Sequence, residues 1–75
     1  MKNYQGHRSW NAWNVALWID NDEPLYRFAC ECNKGRMLEQ ATRRFMRNMG
    51  GERTPDGAVY NRLCVREALA GLREE

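Results

Sequence analysis

Histidine occurs once in these 75 residues, cysteine three times and proline twice. The lone His7 excludes most catalytic arrangements: no Ser/His/Asp or Cys/His constellation can be assembled from this chain, so it reads as a non-enzyme. An odd number of cysteines cannot all pair, and free thiols are expected at Cys30, Cys32 and Cys64. Cys30 and Cys32 are two apart, on nearly opposite sides of a helix. Even with His7 as a hypothetical fourth ligand they lack the local chelating pair of a zinc site, so no metal and no cofactor is expected. Asp20-Asn21-Asp22-Glu23 lacks the length and the later bidentate Glu of a calcium loop, and its residue types suit helix capping.

Long hydrophobic runs are also missing. The ten apolar-rich residues around Val15 are too few to span a bilayer, and MKNYQGHRS has no apolar core of a secretory signal, so a soluble, cytoplasmic protein is expected. Net charge is scarce as well. Twelve Lys and Arg against ten Asp and Glu leave +2, too little for composition alone to announce nucleic-acid binding. The placement of the charges must decide.

What the chain does have is tryptophan, and all three lie in Ser9 to Asp20, SWNAWNVALWID. At about 100° per residue, Trp10, Trp13 and Leu17 fall on one side of a helix, and Ala12, Val15, Ala16 and Ile19 on the other. Asn11, Asn14 and Asp20 interrupt the girdle. A helix apolar nearly all round is expected to be a buried central post, with Trp10 and Trp13 as core and each worth about 3–5 kcal/mol on truncation to alanine. Trp18 projects between the two apolar sides and is the candidate for a partly exposed interface anchor.

The remaining segments supply the walls. Residues 1–8 read as an irregular arm from which Tyr4 packs back on the core. Ser9 is the expected N-cap of the first helix, with Asn11 competing for that role. Asn21-Asp22-Glu23-Pro24 ends that helix and starts a second, which runs to about Asn33 and turns Leu25, Phe28, Ala29 and Cys32 inward. Lys34-Gly35 is a helix stop. A third helix, Arg36 to Met49, carries Leu38, Ala41, Phe45 and Met49 as its apolar stripe. After Gly50-Gly51 come the turn residues Thr54-Pro55-Asp56-Gly57, then a short extended stretch through Ala58 to Tyr60 with no evident partner strand. Asn61 caps a fourth helix, Tyr60 staples onto Val65, and Cys64, Val65, Ala68, Leu69 and Leu72 face inward. Arg66, Glu67, Arg73 and Glu74 face outward, with Leu63 exposed among them. The expectation is one all-α domain over residues 1–75, a compact irregular bundle of about four short helices around the Trp-rich one.

Opposite the stripe of the third helix stand Arg36, Gln40, Arg43 and Arg47, with Arg44 alongside. Glu39, four residues before Arg43, makes an ordinary solvated face one reading of this surface. As a functional face it suits a phosphate backbone or an acidic protein surface, since Arg serves both. No recognition-helix motif favours nucleic acid, and the nearly balanced total charge favours a protein partner.

The string WNAWNVALWIDNDEPLY and the later TPDGAVYNRLCVREAL resemble a family of short proteins encoded by bacteriophages and prophages. The shared features are Trp13 to Trp18, the Asn21-Asp22-Glu23 junction, Tyr26, and the Thr54 to Gly57 turn with Tyr60, about half the chain. Ala12 stands where the pattern has Thr. The resemblance brings no catalytic or binding residues. It implies phage origin, action in the bacterial host cytoplasm, and a small inhibitor or modulator of a host protein or protein–nucleic-acid complex, including bacterial defence complexes such as CRISPR effectors. Two other readings stand beside it: a nucleic-acid-binding module using the arginine face, and an oligomer-forming phage component with Trp18 and Leu63 in a self-interface.

Overall fold

The computed structural model describes residues 6–73; the expected packing of Tyr4 and the outward position of Glu74 lie outside them. Among the described residues there are four helices, α1 (Trp10–Asn21), α2 (Glu23–Asn33), α3 (Leu38–Met49) and α4 (Arg62–Arg73). They form an all-α bundle. The chain ends each helix with local chemistry. The Ser9 hydroxyl accepts the Ala12 amide at 3.1 Å and so caps α1 without a Thr at position 12. Asp22 closes α1 by donating its amide to the Trp18 carbonyl, and opens α2 by accepting the Leu25 amide on its carboxylate. Pro24 sits in the first turn of α2, where its missing donor goes unnoticed.

Helix α3 begins two residues later than the sequence suggests. Gly35 takes a positive φ of 69°, and Arg36 stays in the connection, its guanidinium donating to the Glu31 carbonyl at 3.0 Å. A side chain that satisfies an orphan carbonyl at the end of α2 leaves its own backbone outside α3. Gln40 turns back to accept the Met37 amide.

The core consists of Ala12, Val15 and Ile19 from α1, Ala29 and Cys32 from α2, Ala41 and Phe45 from α3, and Cys64, Val65, Ala68 and Leu69 from α4, joined by Ala58 and Tyr60. Phe45 is its largest fully buried side chain, with the rings of Phe28 and Tyr60 at 5.3 and 6.1 Å. Such tilted aromatic contacts add to area burial. Helix α4 touches all three other helices, whereas α1 touches α2 and α4 and not α3.

That arrangement corrects the central-post expectation. Only the Ala12, Val15 and Ile19 side of α1 meets its helical neighbours, while Trp10 is 40% exposed and Trp13 and Leu17 are only partly buried. Of the two apolar sides in the sequence, the slimmer one packs. Small and β-branched side chains let α1 approach α4 closely, and a helix with neighbours on one side has one side to bury.

Candidate functional site

The connection between α3 and α4 is built around buried polar groups. The Arg53 and Val59 backbones form an isolated antiparallel bridge, so the stretch through Ala58 to Tyr60 does have a partner, inside its own loop. Thr54 donates its amide to Ala58 at 2.8 Å and Gly57 donates to Thr54 at 2.9 Å, closing the turn, with Gly57 at a φ of 98°. A Cβ at that φ would be strained.

Helix α1 clamps this turn. Asn11 reads the Val59 backbone in both directions, donating to its carbonyl at 2.9 Å and accepting its amide at 2.8 Å. Asn14, fully buried, accepts the Thr54 hydroxyl at 2.6 Å and donates to Asp56 at 2.9 Å. The Trp18 indole donates to the same Asp56 oxygen at 2.9 Å. The two donors, Asn14 first and Trp18 second, hold the Asp56 carboxyl below its ordinary range. Trp18 is therefore a partly exposed clamp residue. The sequence signal was present: Asn11, Asn14 and Trp18 are spaced by three and four, one polar stripe on a helix otherwise rich in apolar residues.

The predicted arginine face divides. Arg36 caps α2 and does not belong to it. Gln40 is exposed at the start of α3 and engaged with the Met37 amide. Arg44 is exposed, and its charge acts on the buried Cys32 thiol; burial raises that thiol above its ordinary value, with Arg44 and Arg36 acting against the shift. Arg43 and Arg47 stand fully on the outer side.

Glu39 does not serve Arg43. It faces α4, where it accepts from Arg66 at 2.7 Å and also from Arg62. Those two partners, Arg66 foremost, lower its carboxyl from the usual range. Arg8 pairs with Glu67 and Arg27 with Glu23. No carboxylate among the described residues pairs with Arg43 or Arg47. Leu63, half exposed on α4, sits where the sequence puts it.

Two concavities accompany these faces. A cleft of about 170 Å³ between α1 and α4 is lined by His7, Ala16, Asp20, Glu67, Ala68 and Leu72, among others. An open groove of about 410 Å³ between α2 and α3 is lined by Asp22, Pro24, Leu25, Phe28, Asn48 and Met49. Among the described residues no group of three or more His, Cys, Asp or Glu could hold a metal ion, and no helix is long and apolar enough to cross a membrane.

The chain belongs to a family of unknown function (DUF7249), whose model matches residues 1–75. No curated protein and no solved structure matches it.

Proposed function

We propose that this protein is a non-enzymatic binding module that docks on an acidic surface of a macromolecular complex through the outer face of α3. The observation that carries the reading is the state of Arg43 and Arg47: exposed on successive turns of one helix, with Glu39, the carboxylate four residues before Arg43, diverted to Arg62 and Arg66. Exposed guanidinium groups without an internal partner keep their full capacity for bidentate contact with a carboxylate or phosphate. Glu39, set between them and α4, breaks the positive field that a phosphate backbone would follow. An acidic protein surface tolerates that break better than a uniform polyanion does. The resemblance to phage proteins makes a host complex in the bacterial cytoplasm, with defence effectors among the candidates, the partner class to test first, and inhibition or modulation the expected effect.

The test is capture with a tagged chain from bacterial lysate under nuclease, run in parallel with the Arg43→Glu/Arg47→Glu variant. One stoichiometric protein complex retained by the native chain and lost by the variant, with unchanged circular dichroism, is the expected result. A complex that both retain places binding on another surface. Material that vanishes with nuclease moves the face to nucleic acid.

A further inference from the structure

Asp56-Gly57 is the one place among the 75 residues where an Asp or Asn precedes a glycine. Such a pair carries its own chemistry. With no side chain on the second residue to block the approach, the backbone nitrogen of Gly57 can attack Cγ of Asp56. A C–N bond forms, a Cγ–O bond breaks, and the carboxyl hydroxyl leaves with the amide proton as water. A second water then opens the five-membered imide. Opening at Cγ restores aspartate, whereas opening at the main-chain carbonyl routes the backbone through Cβ and Cγ and leaves isoaspartate. Water is the only reagent, and the mass of the chain does not change.

That reagent is at hand, because Pro55, Asp56 and Gly57 are all exposed. What stands in the way is that hydrogen bonds occupy both reacting groups. One oxygen of the Asp56 carboxylate accepts from Asn14 and from Trp18 at 2.9 Å each, which draws the group toward α1 and away from its own backbone. Asn14 is itself buried and fixed by the Thr54 hydroxyl. The same two donors favour the ionised carboxyl, the poorer electrophile. The Gly57 N–H donates to the Thr54 carbonyl at 2.9 Å, and an amide so engaged is withheld from the base that would activate its nitrogen until the turn opens.

We infer that Asp56-Gly57 is a latent isomerisation site and that the clamp of Asn14 and Trp18 on its carboxylate suppresses the reaction in the folded chain. Isomerisation would lock the clamp open. The added backbone methylene falls inside a turn closed by the Gly57-to-Thr54 and Thr54-to-Ala58 hydrogen bonds. The displaced carboxylate sits directly on Cα, one methylene short of its two donors. Opening of the turn thus leads to a covalent change that refolding cannot undo, and the clamp sets the lifetime of the chain as well as its stability. Arg43 and Arg47 take no part in it.

The test is prolonged incubation at neutral pH, with isoaspartate quantified in the tryptic peptide spanning residues 54–62 by chromatography and electron-transfer fragmentation. The folded native chain is expected to isomerise at least about tenfold more slowly than the same chain in guanidinium chloride, tenfold being the weight of a single hydrogen bond to a charged group. Trp18→Phe, with native circular dichroism, should isomerise at least about fivefold faster than the native chain, having lost one of those bonds. Ile19→Val, which trims the buried core and leaves the clamp intact, should stay near the native rate. Should Trp18→Phe fail to fold, Asn14→Ser removes the other donor, and if neither folds the comparison with denaturant decides. Equal rates in the folded and unfolded native chain overturn the inference, as does a folded clamp variant no faster than native. Equal acceleration by Ile19→Val and Trp18→Phe also overturns it, because protection would then belong to the fold as a whole.

Discussion

Asn14 and Thr54, forty residues apart in the chain, share a buried hydrogen bond of 2.6 Å. It joins the middle of α1 to the turn before α4, and the Thr54 oxygen also accepts the Ala58 amide at 3.0 Å. Both side chains are almost wholly removed from water. Loss of Asn14 strands the Thr54 hydroxyl proton, and loss of Thr54 strands the Asn14 amide oxygen, although each keeps its second bond, to Ala58 and to Asp56.

Replacing Asn14 by leucine is therefore expected to cost about 1–3 kcal/mol, the penalty for stranding a buried hydroxyl, although leucine is the better helix former. For a domain of this size that lowers the melting temperature by about 4–8 °C per kcal/mol. Thermal unfolding followed by circular dichroism checks it. A variant that melts with or above the native chain would show that the clamp contributes nothing net.

Truncation of Phe45 and of Trp10 should separate cleanly. Phe45 is fully enclosed and touches two other rings, so Phe45→Ala is expected to cost about 3–5 kcal/mol. Trp10→Ala should cost much less in dilute solution because its ring is already 40% exposed. Urea unfolding of the two variants measures both. Equal losses would restore the first helix to the role of a buried post.

Acid should loosen the turn. The hydrogen bonds from Asn14 and Trp18 put the folded-state pKa of Asp56 below its ordinary value of 3.8. A depressed carboxyl contributes stability above the unfolded pKa and loses it as pH falls through the folded one. Asp56→Asn keeps an acceptor but cannot titrate, so the gap in melting temperature between native and variant should be present at about pH 7 and close as pH falls below about 3. Glu39 is depressed by Arg66 and Arg62 and titrates in both chains, so it cancels from the comparison.

Glu39→Gln tests how the arginines are apportioned. Freed of its carboxylate, Arg62 and Arg66 join Arg43 and Arg47 as a four-arginine surface. Retention of the variant on immobilised heparin should rise, and the salt dependence should steepen by about one to two counterions. The ion pairs are exposed, so the fold should be unaffected. Unchanged retention would mean that Arg62 and Arg66 do not share a surface with Arg43 and Arg47.

Local chemistry was legible in the sequence because it acts over a few residues. Ser9, Asp22, Pro24, Gly35 and Asn61 mark helix ends through contacts within three or four positions, and the structure uses each of them there. The inward faces of α2 and α4 followed from their apolar periodicity, as did the exposure of Leu63. Arg36 misled because its helical spacing is compatible with α3, whereas its guanidinium caps α2. Asn11 and Asn14 looked like interruptions because their partners, Val59, Thr54 and Asp56, lie forty or more residues away.

The sequence by itself determined four helices, their caps apart from the start of α3, and the existence of two apolar sides on α1. Only the tertiary structure decided which side is core. Periodicity measures how side chains are distributed around one helix, and that is the same whether a neighbour sits on the left or the right. The choice belongs to the docking of α2, α4 and the Thr54–Asp56 turn. Once these cover the alanine, valine and asparagine sides, the Trp10, Trp13 and Leu17 side is what remains outside.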